Sequence, residues 1–370
     1  MSDSSSPKIL ISGGGTGGHV FPAISIANAI RRRHPDAEIL FVGAEGRMEM
    51  ERVPREGYEI VGLPVSGFDR HNPVKNIKVL YRLMKSLWKA RKIVKQFAPD
   101  VAVGVGGYAS GPVIKAAQRR KIPSIIQEQN SYAGVTNRLL ADRATSICVA
   151  YEGMSRFFQA KKIVLTGNPV REEFVDAAKI SREEAKCRLG IDESKKLVFV
   201  TGGSLGAMTV NEAAARCIPT ITAADGILLW QTGSRYEHAC SAIAAGFDNV
   251  KAMAFIDNMS LAYRAADVVV ARAGACTISE LQIVGCPAIL IPSPNVAEDH
   301  QRKNAQALVD KDAAVMILDV DARENLASTL ADLLADDERR KSLSENINKM
   351  ALTNADEKIV DIIDNIITTK

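Results

Sequence analysis

The sequence predicts an α/β protein built as two doubly wound, parallel-sheet domains facing each other across a cleft. Two observations carry this. Short β-branched runs alternate with helical patterns along nearly the whole chain, which implies parallel sheets covered on both faces. Two glycine-rich turns, SGGGTGGHVFPA at Ser12–Ala23 and TGGSLGA at Thr201–Ala207, each follow such a run and precede an alanine-rich helical pattern. One such turn is a weak signal. Two, each opening its own half of the chain, suggest a pair of Rossmann-like, nucleotide-binding-type domains.

At 370 residues the chain is long enough for two such domains, each with its own core. A composition of 46% hydrophobic and 24% charged residues is that of a soluble globular protein. The net charge of +4 is too small to argue for nucleic acid. Six cysteines (Cys148, Cys187, Cys217, Cys240, Cys276, Cys286) form no C-x-x-C pair and sit mostly in apolar stretches, so reduced buried thiols are expected. The start, MSDSSSPK, reads as a short unstructured tag without the parts of a signal peptide. No apolar run reaches the ~18 residues of a membrane span. A protein that is neither translocated nor membrane-spanning is the expectation.

In the first half the strand signals are Lys8–Ser12, Glu38–Val42, Glu59–Val65, Val101–Val105, Ser124–Gln127, Ser146–Val149 and Ile163–Thr166, with helical patterns such as Pro22–Arg33 and Val74–Phe97 between them. The stretch Thr166–Arg171 (TGNPVR) breaks the rhythm and marks the domain junction. The pattern restarts with Leu197–Val200, Ile227–Gln231, Val250–Phe255, Val268–Ala271, Ala288–Ile291 and Val315–Leu318, and three helices close the chain from about Ala322. Expected domains are therefore 1–171 and 172–350, with a helix in 351–370 returning toward the first. Parallel sheets bind ligands beyond the carboxyl ends of their strands, so the loops after each strand are the candidates.

The first turn fits G-x-G-x-x-G through Gly13, Gly15 and Gly18, a pattern that lets backbone approach a diphosphate at a helix N-terminus. With Glu45 as a ribose acid it would also fit a dehydrogenase, but the second glycine turn would then have no task. His19 follows the glycines directly, where an imidazole titrating near neutrality is a candidate general base. Arg272–Glu280 (RAGACTISE) follows an apolar strand and enters a helix, so amides near Ala275–Ile278 would face an anion. Thr277 and Glu280 also spell a T-x-x-E capping box, and spacing does not decide between a cap and a carboxylate placed for ribose hydroxyls. Glu298–Asn304 (EDHQRKN) and Glu128–Asn130 with Asn137 and Arg138 are further polar clusters, whose amides Asn130, Gln301 and Asn304 suit sugar hydroxyls. No His, Cys, Asp or Glu set has metal-ligand spacing. Asp319-Val-Asp321 matches a D-x-D pattern, but sits away from the other clusters and reads as coincidence.

In the helical pattern Val74–Phe97, Lys75, Lys78, Arg82, Lys85, Lys89 and Lys92 form a basic stripe beside Ile77, Leu80, Tyr81, Met84, Leu87 and Trp88. No acid occurs between His71 and Pro99. A solvated face normally mixes charge signs. This one suits anionic headgroups.

Taken in order, GGTGGHVFPA (Gly14–Ala23), GVGGYASGP (Gly104–Pro112), EQNSYAGVTNR (Glu128–Arg138), GNPVR (Gly167–Arg171), GGSLGA (Gly202–Ala207), FIDNM (Phe255–Met259), RAGACTISE (Arg272–Glu280) and DHQRKNA (Asp299–Ala305) closely resemble the MurG family of N-acetylglucosaminyl transferases, over nearly the whole length. The resemblance implies the two-domain GT-B fold of glycosyltransferase family 28. It implies transfer of GlcNAc from UDP-GlcNAc to the C4 hydroxyl of MurNAc on lipid I (undecaprenyl-pyrophosphoryl-MurNAc-pentapeptide), with inversion, giving lipid II at the cytoplasmic membrane face. Other cell-wall synthesis proteins would be partners, and no tightly bound metal is implied.

Carried onto this chain, the resemblance puts the donor in the second domain. Ile256 would meet the uracil through its backbone with Met259 over the base, Ser204 would lie at the diphosphate, and Glu280 on the ribose hydroxyls. Gln301, Asn130 and the backbone of Ala275, Cys276 and Thr277 would contact the sugar or its phosphates, with Arg171 close to the nucleotide. Thr16, Gly17 and Gly18 would lie by the diphosphates, and Gly14, Gly15, Tyr108, Glu128 and Asn137 on the acceptor side. Cys276 and Arg302 fill variable-looking motif positions. An inverting transfer needs a base on the acceptor hydroxyl and stabilisation of departing UDP, which assigns His19 the base's role. A UDP-GlcNAc 2-epimerase of the same fold would use the donor pocket alone and leave the basic helix without purpose. A non-catalytic scaffold would leave His19 unexplained.

Overall fold

The computed structural model of the chain describes residues 6–66 and 75–369, residues 75–78 and 297 by their backbone alone. Residues 1–5 of the expected tag, and Val74 at the head of the expected long helix, lie outside the described residues. The chain divides into two compact units, 1–171 with 353–370 and 172–352.

Strands of the first unit are β1 (Lys8–Ser12), β2 (Glu38–Ala44), β3 (Glu59–Leu63), β4 (Val101–Gly104), β5 (Ser124–Glu128), β6 (Ser146–Val149) and β7 (Ile163–Leu165). Among the described residues they form one parallel sheet in the order β3-β2-β1-β4-β5-β6-β7. Successive side chains of a strand point to opposite faces. Ile9 and Ile11 accordingly join one core with Val20, Ile26 and Ile30, and Leu10 joins the other with Val94, Val113 and Ile114. A strand buried on both faces reads as a continuous apolar run, hence Ile-Leu-Ile.

The helix Ala355–Thr368 belongs to this unit. Its Ile359, Val360 and Ile363 complete the core on the Ile9 side. Arg32 pairs with Asp356 and Glu357, while Arg33 reaches Glu357, Asp361 and Asp364. Those carboxylates hold the Arg33 guanidinium above its usual range.

The second unit carries β8 (Lys196–Thr201), β9 (Gly226–Gln231), β10 (Val250–Met253), β11 (Val268–Ala271), β12 (Ala288–Leu290) and β13 (Val315–Met316), parallel and in the order β10-β9-β8-β11-β12-β13. Fully buried Trp230 anchors one of its cores, its indole N–H donating to Asn211 Oδ1 at 2.9 Å. In each sheet the first strand is where successive connections turn to opposite sides: β1 lies between β2 and β4, and β8 between β9 and β11. Ligands of open α/β sheets bind outside the carboxyl ends at such a switch point. Both glycine turns lie there.

Three expected strands end two residues early, at Leu63, Met253 and Met316. At the first, Val65 donates its N–H back to Leu63 O at 2.8 Å, a tight turn that takes the chain out of the ladder. The first helix runs Gly17–Arg33, five residues earlier than the apolar pattern at Pro22 indicates. Thr16, extended, starts it, and its carbonyl accepts from the His19 and Val20 amides at 3.1 Å. Packing here overrides the poor helix propensity of the glycines. Cys148, Cys217, Cys240 and Cys286 are buried, Cys276 is half-buried and Cys187 exposed. Burial pushes the thiols of Cys148, Cys217 and Cys286 up to about 12.

At the amino end of β11, Asp267 is buried against Lys186 at 2.9 Å and Arg182 at 3.2 Å, and accepts from the Leu197 amide at 2.8 Å. Removing one partner of a buried pair leaves the other charge uncompensated. Asp267→Ala should cost about 3–5 kcal/mol, measured as the denaturation midpoint followed by Trp230 fluorescence in a Trp88→Phe background. A shift under a third of that size would show the cluster to be solvent-relaxed.

Candidate active site

In the first unit the loop after β1 and the loop after β4 touch. A Cβ on Gly107, whose φ is +82°, would come within 2.2 Å of Gly14 O. One on Gly106, φ +93°, would come within 2.9 Å of His19 Cε1. Bare backbone is what lets the His19 ring lie against this second loop. Thr16 is exposed and Gly17, Gly18 and His19 are half-buried, so this loop presents its helix-starting residues outward. Gly14 is buried, and the Gly15 N–H is spent on Glu49, whose two carboxylate oxygens each lie 3.0 Å away. Glu49 also accepts from Ala44 N at 2.9 Å and is 1% exposed. Gly15 is thereby a shaped turn whose amide points inward at a carboxylate.

His19 Nδ1 lies 3.0 Å from Gln129 Oε1. Glu128, in the same motif, is 1% exposed. It accepts from Asn130 N at 3.1 Å, Gly134 N at 2.9 Å and Asn137 Nδ2 at 2.8 Å. Glu128 and Asn137 thus come together, but beneath the 128–137 loop, where they hold its shape. Asn130 is half-buried and Tyr108 is 56% exposed. Arg171 stacks its guanidinium 4.9 Å from the Phe21 ring centre.

In the second unit the GGSLGA turn leaves Ser204 exposed. The helix Ala275–Val284 starts behind Gly274, which is extended and offers no side-chain cap. Thr277 is then the third residue inside the helix, so the T-x-x-E capping box does not form. Glu280 is left buried one turn in, at 8% exposure, on the element that opens beyond β11. Ala275 is buried, and Cys276 and Thr277 are half-buried at the helix mouth. The Ile256 N–H donates to Gln231 Oε1 at 3.0 Å, and Gln231 Nε2 donates to Thr201 Oγ1 at 3.0 Å. A backbone contact from Ile256 therefore falls to its carbonyl. Met259 opens the next helix half-buried. Gln301 accepts from Ser293 N at 2.9 Å and ties down the loop after β12, while Asn304 is fully buried.

Asp319 pairs with Arg272 at 2.5 Å and accepts from Thr209 Oγ1 at 3.1 Å, so the D-x-D match is a structural clasp. Glu45 pairs with Lys89 at 3.1 Å. Among the described residues no group of three or more His, Cys, Asp or Glu is placed to hold a metal ion.

The helix Lys75–Phe97 turns Val79, Ala90, Ile93 and Val94 inward and leaves Leu80, Tyr81, Met84 and Trp88 exposed at 56%, 71%, 60% and 66%. Arg82 and Lys85 are exposed beside them and Leu87 is half-buried; the side chains of Lys75, Ile77 and Lys78 lie outside the described residues. Among the described residues no helix is long and apolar enough to cross a membrane.

Two parallel-sheet units with glycine turns at both switch points have the architecture of a nucleotide-binding-type α/β protein. Residues 9–149 match the glycosyltransferase family 28 N-terminal domain and residues 197–362 the family 28 C-terminal domain. The chain is 55% identical over 365 residues, 98% of its length and 99% of the relative's, to the UDP-N-acetylglucosamine–N-acetylmuramyl-(pentapeptide) pyrophosphoryl-undecaprenol N-acetylglucosamine transferase of Parabacteroides distasonis. It is 56% identical over 351 residues to the enzyme of that name from Phocaeicola vulgatus, covering 94% and 93% of the two chains. The crystal structure of Acinetobacter baumannii MurG superposes with a TM-score of 0.78 at 26% identity, covering 97% and 99%. The chain belongs to the MurG family. A UDP-GlcNAc 2-epimerase from Neisseria meningitidis, at 13% identity, TM-score 0.68 and 96% and 99% coverage, shares the fold alone.

Gln127, Gln129 and Asn168 stood inside or beside quoted motifs without a role of their own. Glu49 lies in a charged stretch, GRMEMER, with no periodic or motif signal. Glu49→Ala would leave the Gly15 and Ala44 amides without their acceptor. It should cost about 1–3 kcal/mol and strip Gly15 of hydrogen-exchange protection while leaving β8–β13 protected. Unchanged protection at Gly15 would show that the loop is fixed by other contacts.

Proposed function

We infer that the protein is an inverting glycosyltransferase that moves GlcNAc from UDP-GlcNAc to the C4 hydroxyl of MurNAc in undecaprenyl-pyrophosphoryl-MurNAc-pentapeptide, the lipid I to lipid II step of peptidoglycan synthesis. The observation that carries it is identity above one half, over nearly the full length, to enzymes bearing that name. In this reading His19 Nε2 takes the C4 hydroxyl proton as the oxygen bonds to the GlcNAc anomeric carbon and the bond from that carbon to UDP breaks. UDP leaves as the anion. The amides at the start of the Ala275–Val284 helix and the Ser204 turn meet its diphosphate, since a helix N-terminus carries partial positive charge. No resident metal is assigned to this step.

Glu280 accepts from the ribose hydroxyls, the Ile256 carbonyl accepts from the uracil N3–H, and Met259 covers the base. Gln301, Asn130 and Arg171 lie by the sugar and nucleotide. Thr16, Gly17 and Gly18 serve the diphosphates, and Tyr108 the acceptor. Leu80, Tyr81, Met84 and Trp88, flanked by Arg82 and Lys85, rest on an anionic membrane surface at its cytoplasmic face, where the lipid-linked acceptor lies. Burying exposed aromatics while pairing cations with headgroups stabilises such an attachment.

Incubation with radiolabelled UDP-GlcNAc and a short-chain lipid I analogue should yield labelled disaccharide lipid, and UDP-GlcNAc alone should not epimerise. His19→Ala should lower kcat by about 10²-fold or more with UDP affinity within about twofold; near-normal turnover excludes His19 as the base. Glu280→Ala should weaken UDP by about tenfold or more, as loss of hydrogen bonds to a charged group requires. Unchanged UDP affinity would return Glu280 to a purely structural role. The double variant Tyr81→Glu, Trp88→Glu should release the protein from vesicles rich in phosphatidylglycerol; retained binding would place the membrane contact elsewhere.

A further inference from the structure

Gln129 is 1% exposed, yet both ends of its carboxamide are used. Its Nε2 donates to the Val105 carbonyl at 2.7 Å. Its second N–H faces Gln127 Oε1. Gln127, itself fully buried, donates from Nε2 to Asn168 Oδ1 at 2.9 Å, and Asn168 Nδ2 donates to the Gln129 carbonyl at 3.1 Å. A backbone carbonyl only accepts, so the bonds to Val105 and to the Gln129 carbonyl fix which end of each amide is nitrogen. The chain has one orientation along its length. Gln129 Oε1 is then compelled to face His19 Nδ1, 3.0 Å away. An oxygen of this kind only accepts, so Nδ1 must carry the hydrogen and the neutral ring has its lone pair on Nε2.

We propose that Gln129 is a positioning residue, locked by Gln127 and Asn168, that holds His19 in the Nδ1–H tautomer and so makes Nε2 the basic atom. The free histidine side chain prefers the opposite tautomer, with hydrogen on Nε2, which has no lone pair there to receive a proton. The amide chain reverses that preference without adding a charge, as an orienting acceptor does in other histidine bases. Asn168 lies in the GNPVR segment at the end of the first unit's continuous stretch, so the ring's state depends on a residue about 150 positions away in sequence. The catalytic half of this proposal rests on His19 acting as the base. The tautomer half does not.

The test is the imidazole nitrogen spectrum of 15N-histidine-labelled full-length protein at a pH where His19 is neutral, with its resonances identified by loss in His19→Gln. Expected is a protonated Nδ1 and an unprotonated Nε2 in the parent protein. Gln129→Leu should shift the ring toward Nε2–H and lower kcat by ~30-fold or more, with UDP affinity within about twofold. Gln129→Glu, protonated or ionised, retains an oxygen facing Nδ1. It should keep the Nδ1–H form and recover most of the lost kcat, which guards against a mere folding defect in Gln129→Leu. An Nε2–H ring in the parent protein, or an Nδ1–H ring with undiminished kcat in Gln129→Leu, overturns the proposal. Normal turnover in His19→Ala overturns the base assignment instead, and the spectrum alone then decides whether Gln129 fixes the ring.

Discussion

A parallel strand can be reached from its predecessor only by a crossover that covers one face of the sheet. Everything else in this chain depends on that constraint. Crossovers on both faces bury residues 9–12 of β1 and 197–201 of β8 and force their apolar runs, which leaves little room for polar chemistry along the strands. Ligand chemistry is left to the carboxyl ends. There the parting of connections on either side of β1 and β8 leaves space for two glycine loops.

The first glycine loop and the 128–137 loop are held by buried carboxylates that spend their charge on backbone amides. Glu49 beneath the first glycine turn and Glu128 beneath the 128–137 loop each satisfy several N–H groups, which would otherwise be costly to bury. In the second unit a neutral pair does the same work, Gln231 and Thr201 fixing the Ile256 amide. The groups that face outward, Thr16, Ser204 and Tyr108, stand on a frame made rigid by ones that do not.

Much of this was legible in the sequence because it is local. Strand and helix periodicity placed the elements of both sheets, and the glycine turns marked both switch points. What was not legible depends on partners far apart. Glu49 reads as one acid among several in GRMEMER until Gly15 is folded onto it, 34 residues away. Thr277 and Glu280 have the spacing of a cap, and only the backbone at Gly274 shows that the helix begins too early for one to form. Gln129 was visible inside EQN, but its importance comes from Val105 and His19, and no spacing rule joins those three.

The helix Ala355–Thr368 fixes the order in which the molecule can be completed. The apolar residues Ile359, Val360 and Ile363 complete the same core as Ile9 and Ile11, at opposite ends of the chain. On the ribosome, domains made first generally fold first. Here the unit begun first is completed only after the second, because residues 353–370, which close it, follow the second unit in the chain. The second unit can be complete while one face of the first still lacks its cover. Until that helix is made, the core around Ile9 and Ile11 lacks one of its walls.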